Sequence, residues 1–143
     1  MTETTTRPKR RTRQATVVSV EPLTPHMIRV VVGGDDLDGL EVGEFTDHYV
    51  KLRIGERTRT YTVSDWDGER LTIDFVVHGD EGVAGPWAAA AKPGDTLELR
   101  GPGGAYTPDP DAGWHLMVGD PSVVPAIVLF PLSVTSTRKS GRR

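Results

Sequence analysis

Two short segments of this chain carry side chains suited to holding a large planar cofactor. The first reads Arg59-Thr60-Tyr61-Thr62-Val63, and the second runs from His78 to Trp87 through three glycines. The first has the β-branched and aromatic composition of a strand. The second has the composition of a loop that leads into a short helical turn. A strand-borne cation, a ring beside it and a loop of free backbone amides together predict a site for a flavin dinucleotide.

The chemistry of the first segment follows from the two-residue period of a strand. Arg59 and Tyr61 are two positions apart and share one face, whereas Thr60 and Thr62 share the other. A guanidinium grips diphosphate oxygens in a bidentate manner, and a tyrosine ring offers a flat face for isoalloxazine stacking. The hydroxyl or backbone of Thr62 is predicted to meet the flavin N5 region, where electrons enter and leave. The alternative is an ordinary exposed cross-strand pair.

The second segment is predicted to supply backbone amides to the same ligand. Gly79, Gly82 and Gly85 let the backbone approach a ligand closely. The turn into residues 86–91 aims a helix N-terminus, whose free N–H groups bind phosphate, at whatever lies there. Taken alone, such a loop is equally an ordinary turn, and Trp87 is more often a core residue than a cofactor contact.

The remaining sequence predicts a scaffold of short strands around these segments. Pro86 lies near the first turn of a short helix predicted over residues 85–91. Two of the strands, 57–63 and 71–77, form a predicted hairpin. At least six short strands at regular spacing predict a closed antiparallel barrel. The predicted strands are residues 16–20, 27–32, 48–54, 57–63, 71–77 and 96–100.

Composition excludes several classes of function. The 143 residues include no cysteine, so disulfides, thiolate metal sites and cysteine nucleophiles are excluded. The histidines show no metal-ligand spacing, and no metal site is predicted. Residues 14–137 hold 8 basic and 19 acidic residues. This net negative charge repels a phosphate backbone, so no nucleic-acid partner is predicted. No apolar run approaches the roughly 18 residues of a membrane span, so no membrane insertion is predicted. The absence of cysteine fits a reducing compartment, and a cytoplasmic location is predicted.

Local amino-acid composition divides the chain into four parts. Residues 1–13 are predicted to be a disordered basic arm, and residues 14–112 the barrel domain. Residues 113–130 open with a predicted strand at 114–118, followed by a turn and an apolar segment, which is how a βα unit begins. Because an atypical basic tail follows at 131–143, we expect a second domain truncated soon after its start. The alternative is a short native tail.

Six ordered motifs give the chain a resemblance to a known family. With Gly119-Asp120, Ser122 and Pro125-Ala126-Ile127 added, the likeness runs from about Gln14 to Ile127. The motifs are Asp47-His48-Tyr49-Val50-Lys51-Leu52, Arg59-Thr60-Tyr61-Thr62-Val63, Asp74-Phe75-Val76-Val77-His78-Gly79, Gly82 to Ala88, Pro93-Gly94-Asp95 and Gly101-Pro102-Gly103-Gly104. With these motifs the chain resembles the siderophore-interacting proteins, which are FAD-dependent ferric-siderophore reductases within the ferredoxin-reductase-like flavoproteins.

The resemblance implies a mainly β fold, a six-stranded antiparallel Greek-key FAD-binding barrel with one short helix and the first strand of a truncated α/β nucleotide-binding domain. Reduced FAD would pass electrons to siderophore-bound Fe(III), and the Fe(II) formed binds hard oxygen ligands less tightly. Thr62 would be the residue at the redox edge. The cofactor-binding residues implied are Arg59, Thr60, Tyr61, Thr62, Val77, His78, Gly79, Ala84, Gly85 and Trp87.

The chain also departs from the family pattern. The family usually has a second arginine where this chain has Ser64, so one cationic contact is lost. A serine common near Gly85 is missing, and Pro121 replaces a usual acidic residue. Lys51, on the polar face of its strand, is the predicted substrate contact for an anionic siderophore. Its alternative is a solvated strand lysine.

Three functions follow as hypotheses. The first is an FAD-dependent oxidoreductase domain that takes electrons from NAD(P)H or a reduced carrier and delivers them to a ferric siderophore. The second is a flavin-binding module or remnant without turnover of its own. The third, a remote alternative, is a nucleic-acid-binding β-barrel that uses the basic N-terminal arm.

Overall fold

A computed structural model describes residues 11–43 and 45–129. A helical run at 124–129 and two short 3-10 turns, Asp35–Leu37 and Pro121–Val123, accompany its main elements. The main elements are β1 (Thr12–Thr24), β2 (Met27–Gly33), β3 (Tyr49–Ile54), β4 (Arg57–Trp66), β5 (Leu71–Val76), α1 (Ala84–Ala90) and β6 (Thr96–Gly103).

The six strands close into one antiparallel barrel in the order β1-β2-β5-β4-β3-β6. Sequence neighbours pair in the β1–β2, β3–β4 and β4–β5 hairpins, and β6 joins β3 to β1. Closure of the sheet leaves the barrel without free strand edges. The prediction of a closed, mainly β barrel is therefore confirmed, as is the hairpin of the fourth and fifth strands.

The core is the interior of the barrel. On β3, Val50, Leu52 and Ile54 are buried, whereas Lys51 and Arg53 between them are exposed. Buried apolar residues also recur at every second position on β2, at Val30 and Val32, and on β5, at Leu71, Ile73 and Phe75. This is the pattern of a sheet with one dry face. Burial of each such Val, Leu or Ile side chain contributes about 1.5–3 kcal/mol relative to leaving it exposed.

β1 is longer than predicted because it serves two neighbours. Its first part, from Thr12 to Thr16, pairs with β6, and its second part pairs with β2. Pro22 lies at a register shift, where a strand tolerates the missing N–H donor. The prediction of a disordered arm is therefore wrong for residues 12 and 13, since Arg13 also donates to the carbonyl of Asp36 at 2.6 Å. Residues 1–10 lie outside the described residues.

The strand predicted over residues 114–118 does not form in the described structure. The segment has no strand partner among residues 11–43 and 45–129, and a strand without a ladder leaves its backbone groups unpaired. Trp114, Leu116 and Val118 are 77%, 74% and 82% exposed. Their alternation, which prompted the prediction, reflects an apolar face that nothing in the described part covers. The predicted tail, 131–143, lies outside the described residues.

The inner and outer surfaces of the body differ sharply in chemistry. On the outer face, Arg29 of β2 grips its register partner Asp74 of β5 through two hydrogen bonds of 2.8 and 2.9 Å. This bidentate pair joins the two strands from outside the core.

Within residues 11–43 and 45–129, none of the helices has both the length and the apolar content needed to cross a bilayer.

Candidate flavin-binding site

The register of β3 and β4 decides which way the predicted site residues face. Arg59 pairs with Leu52 and Tyr61 with Val50, so both lie on the core-facing side of the hairpin. Residues 55–60 are nevertheless exposed, because the end of this hairpin extends beyond the packed interior. Arg59 is thus an exposed cation next to the half-buried ring of Tyr61. The prediction that Arg59 and Tyr61 share a face is confirmed.

A row of three aromatic rings connects β4 to α1. The Tyr61 and Phe75 ring centroids are 4.5 Å apart with a tilt of 39°, and the Phe75 and Trp87 centroids are 5.6 Å apart with a tilt of 46°. Phe75 is fully buried. Such tilted contacts add about 0.5–1.5 kcal/mol each beyond area burial. The row fixes the plane of the Tyr61 ring from one side.

Burial controls the protonation of the same tyrosine. Desolvation raises the pKa of the Tyr61 phenol, and the nearby positive charge of Arg59 opposes this only in part. The phenol is therefore neutral at physiological pH. A neutral, half-buried ring with one side packed on Phe75 presents its remaining face as an apolar platform.

The loop after β5 leads directly into α1. The Val77 N–H donates to the carbonyl of His26 at 2.8 Å, which anchors the start of the loop. Gly79 and Gly82 have φ values of 58° and 76°, a region that favours glycine. α1 begins at Ala84 with no side-chain cap, so its first amides have no side-chain acceptor in the described part of the chain.

Gly85 is explained by packing as well as by the predicted ligand. A Cβ at Gly85 would lie 3.5 Å from the carbonyl oxygen of Val76 and 3.5 Å from the Cα of Val77. These are ordinary van der Waals distances, so Gly85 is closely packed but a Cβ would still fit there. Ala84 and Gly85 are buried, and His78 and Gly79 are exposed. His78 and Gly79 are thus the more accessible members of the predicted set.

A turn from the C-terminal part of the described chain approaches this loop. Asp120 accepts hydrogen bonds from the backbone N–H of Ser122 at 2.9 Å and from its hydroxyl. These bonds, followed by the charge of His78, lower the pKa of Asp120. Sequence reasoning did not place Asp120 at the site, because its proximity to His78 depends on a tertiary contact between Pro121–Val123 and β5.

Lys51 lies on the opposite face of the hairpin from Arg59 and Tyr61. Its register partner is Thr60, and Thr62 faces Tyr49 on the same outward side. Lys51 and Thr60 are exposed. The predicted substrate residue therefore shares its face with both predicted threonines and not with the predicted diphosphate and stacking residues.

Ser64 occupies an irregular position on β4, between Val63 and Asp65, where the register with β5 shifts. Its hydroxyl oxygen is buried and has no hydrogen-bond partner among residues 11–43 and 45–129. A buried hydroxyl without a partner costs free energy that an alanine avoids. The same side chain is too short to replace the arginine that the family resemblance puts there.

We expect Ser64→Ala to raise the free energy of unfolding by about 1 kcal/mol, because it removes an unpaired buried hydroxyl and leaves little space. Urea denaturation measures this difference. Thr58→Ala is the matched control, since Thr58 is exposed on the same strand. A loss of stability in Ser64→Ala larger than that of the control would show that the hydroxyl is satisfied in solution.

Asp47 connects the start of β3 to the segment after β6. Its Oδ1 accepts the backbone N–H groups of Ala105 and Tyr106, each at 2.9 Å. Partial burial acts to raise the pKa of Asp47, but these backbone hydrogen bonds outweigh it and hold the pKa below the ordinary 3.8. A depressed pKa in the folded state stabilises the fold at pH values above the unfolded pKa.

We expect the stability conferred by Asp47 to be lost as the pH falls below about 4, through the folded-state pKa. Asp47→Asn should lower the free energy of unfolding by about 1 kcal/mol at neutral pH and flatten its decline in acid. Denaturation curves between neutral and acidic pH test this. Glu56→Gln, at the exposed β3–β4 turn, removes an equal charge as control. Parallel acid profiles for wild type and Asp47→Asn would contradict the assignment.

The residues at this end of the barrel fit the predicted FAD. Among the residues that the structure describes, Arg59 donates one hydrogen bond, to the carbonyl of Thr58 at 3.1 Å, which leaves most of its donors available. Tyr61 offers one uncovered ring face, and the start of α1 has no side-chain cap. A cation, a platform and backbone donors are the groups that a diphosphate-linked ring system needs. The individual cofactor contacts, and Thr62 as the residue at the redox edge, stay predictions.

Comparison with known proteins gives a consistent result. The profile of the family described as the siderophore-interacting FAD-binding domain matches residues 16–58 and 55–106. The ferric vibriobactin reductase ViuB of Vibrio cholerae is 35% identical over 132 residues, covering 73% of this chain and 48% of that protein. The NADPH-dependent ferric-chelate reductase of Escherichia coli is 34% identical over 140 residues, covering 82% and 55%.

A solved structure agrees with these matches. The crystal structure of a siderophore utilization protein from T. fusca superposes with a TM-score of 0.70 at 37% identity, covering 83% of this chain and 54% of that chain. The chain spans about half the length of the curated relatives it matches. The residues matched by the family profile contain strands β2 to β6, most of β1 and α1.

Proposed function

Because this chain belongs to the siderophore-interacting FAD-binding domain family, we propose that it forms the flavin-carrying part of a ferric-siderophore reductase. Electrons would come from NAD(P)H or from a reduced carrier, and the acceptor would be Fe(III) held by a siderophore. The names of two relatives, a ferric vibriobactin reductase and an NADPH-dependent ferric-chelate reductase, support this chemistry. A cytoplasmic location belongs to the same proposal, since nicotinamide reductants are generated there.

One observation carries the proposal: Arg59 and Tyr61 occupy the same side of β4, and Tyr61 is packed on the buried ring of Phe75. When bound, FAD supplies one-electron and two-electron redox chemistry that no side chain of this protein provides. The protein's part is to bind and orient. In this proposal Arg59 neutralises the diphosphate, Tyr61 stacks on the ring system, and Thr62 lies near its redox edge.

The surroundings of the rings support a role in limiting access of water. Phe75 and Trp87 close the barrel end behind Tyr61, so solvent does not reach the packed side of that ring. Val77, Ala84 and Gly85 form the apolar base where α1 joins β5. A dry base with donors at its rim strengthens each polar contact made there.

The test begins with the absorption spectrum of the purified chain and chromatography of any released cofactor. We expect flavin absorption and released FAD, or uptake of added FAD by the apoprotein. A folded, colourless chain that takes up no added FAD would overturn the proposed site. Turnover is then assayed with NADPH, NADH or a chemically reduced carrier and a ferric chelate.

A flavin-binding module without independent turnover is the second candidate, since Arg59, Tyr61 and the loop before α1 are suited to holding a flavin whether or not electrons reach it. This candidate predicts FAD binding and photochemical reduction of the bound flavin, but no oxidation of NADPH or NADH. Ferric-chelate reduction by the photoreduced protein would still separate a competent electron-transfer domain from an inert one.

A further inference from the structure

A cleft lies beside the C-terminal end of β4, away from the exposed hairpin end that carries Arg59. It has a volume of about 230 Å³ and is bounded by the loop before β3, the last residues of β4 and the helical run at 124–129. A dry cavity of about 150 Å³ is enough to bind benzene, so this cleft has room for one ring and a small head group. Its lining residues are Val42, His48, Val63, Asp65, Trp66 and Leu129.

The walls of the cleft are mainly apolar. Val63 is a core residue that is 2% exposed, and Val42 and Trp66 are partly buried against the same core. Leu129 lines the cleft on the side of the helical run. Ligand pockets typically combine such walls with a few polar groups that fix the orientation of the ligand. The chemistry of the polar groups therefore decides which ligand the cleft accepts.

The two polar residues of the cleft offer hydrogen-bond acceptors. The Asp65 carboxylate has neither a hydrogen bond nor an ion pair within residues 11–43 and 45–129, and an ionised carboxylate only accepts. His48 Nε2 lies 2.6 Å from the carbonyl oxygen of Gly43, so Nε2 is the donor of that bond. In the neutral ring Nδ1 is then an acceptor, and it has no partner in the described part of the chain. A ligand that satisfies these groups must supply donors.

The charge around the cleft is negative. Arg29 is close enough to Asp65 for the two charges to interact, but Asp74 already engages Arg29 through two hydrogen bonds. His48 also lines a second hollow, which includes Glu41. Among the described residues, no lysine or arginine lines either hollow. Apolar walls focus the field of such carboxylates, and this favours cations.

We propose that this cleft binds a small organic cation with an ammonium or amidinium head and an aromatic or alkyl body. The head donates hydrogen bonds to Asp65 and to Nδ1 of His48, and the Trp66 ring contacts it through a cation–π interaction. The body replaces water against Val42 and Leu129. An anionic ligand finds no donor side chain among the lining residues and is rejected.

The cleft is separate from the candidate flavin site. Asp65 lies six residues beyond Arg59, about 20 Å along β4. None of the lining residues belongs to the set predicted to hold FAD. The inference therefore does not depend on the proposed function, and cation binding is measured without flavin.

The experiment titrates the isotope-labelled full chain with benzylammonium, benzyl alcohol and benzoate at fixed ionic strength, while amide and indole N–H chemical shifts are recorded. These probes share one ring and differ in the charge of the head group. We expect saturable shifts with benzylammonium near residues 42, 48 and 63–66. Its affinity should exceed that of the other two probes by about tenfold, the value of one charged hydrogen-bonding contact.

Three variants assign the binding to the named groups. Asp65→Asn should weaken benzylammonium binding about tenfold and leave benzyl alcohol binding unchanged, because it removes the charge and keeps the shape. Trp66→Phe should weaken benzylammonium binding about two- to fivefold, because phenylalanine is the weaker cation–π partner. Glu56→Gln, which removes an exposed carboxylate at the β3–β4 turn, is the matched control and should have no effect.

Equal affinity for benzylammonium and benzyl alcohol, tighter binding of benzoate, or shifts that do not saturate would overturn the proposal. Equal losses in Asp65→Asn and Glu56→Gln would do the same, since they would indicate attraction by the overall negative charge. FAD uptake by Asp65→Asn is measured in parallel. Normal FAD uptake with weakened benzylammonium binding supports a second site, whereas loss of both would refute a site separate from the flavin.

Discussion

Replacing Arg59 with alanine is expected to weaken FAD binding by about ten- to a hundredfold, the loss that follows removal of a charged hydrogen-bonding group. Arg59 is exposed at the rim of the barrel, and within the described part of the chain it donates one hydrogen bond, to the Thr58 carbonyl. It therefore contributes little to the fold, and its loss should act on the ligand. Titration of apoprotein with FAD, followed by flavin fluorescence, measures the effect.

Arg57→Ala provides the control for this experiment. Arg57 lies on the same face of β4, two residues before Arg59, and is equally exposed. If Arg59 grips the diphosphate, Arg57→Ala should change the affinity far less. Equal losses in the two variants would mean that the hairpin attracts FAD through its overall positive charge. In that case both effects would shrink together as the salt concentration rises.

Salt therefore separates a specific contact from a diffuse one. A bidentate Arg59–diphosphate contact keeps most of its advantage over the alanine variant at high ionic strength, because it depends on short hydrogen bonds. Long-range attraction between exposed charges is screened over roughly 8–10 Å at physiological salt. The difference between Arg59→Ala and Arg57→Ala at high salt is the decisive quantity.

The faces of the site strand could be predicted from sequence because they depend on local geometry alone. Alternation on β3 and β4 fixed which of Arg59, Thr60, Tyr61 and Thr62 lie together, and the register bears this out. The closed barrel was also predictable, since regularly spaced short strands have few other ways of covering their edges.

What remained unpredictable depends on contacts between distant parts of the chain. The opposition of Lys51 and Arg100 requires the pairing of β3 with β6, which have β4, β5 and α1 between them in sequence. The approach of Asp120 to His78 is likewise a tertiary contact. No periodicity within one segment carries information about its partner's register.

The wrong prediction at residues 114–118 has a related cause. Trp114, Leu116 and Val118 alternate with less exposed neighbours, as in a strand. Alternation reports which residues would share a face, but a strand also needs a partner for its backbone groups. No such partner is present in the described part, so residues 114–118 form no ladder of strand hydrogen bonds there.

Phe75 connects the barrel core to the candidate site through its ring contacts. It is fully buried and contacts Tyr61 on one side and Trp87 on the other. Phe75→Ala is expected to lower the free energy of unfolding by about 3–5 kcal/mol, the usual cost of a large aromatic cavity. A loss that size threatens folding, so Phe75→Leu is the informative change.

We expect Phe75→Leu to cost about 1 kcal/mol of stability and to weaken FAD binding about two- to tenfold, the value of one lost aromatic contact. The binding loss arises because the Tyr61 ring is no longer held in its plane. Denaturant unfolding and FAD titration, both on well-folded protein, measure the two effects. Near-ultraviolet circular dichroism reports the combined packing of the three tyrosines and three tryptophans, Tyr61 and Trp87 among them.

Val17→Ala separates this effect from general loosening of the core. Val17 is a buried core residue on β1, a strand that does not pair with β4. It should lower stability at least as much as Phe75→Leu while leaving FAD affinity unchanged. If both variants weaken FAD equally, the cofactor senses overall stability and the aromatic row has no positioning role. If only Phe75→Leu does so, the row from Trp87 to Tyr61 links core packing to cofactor binding.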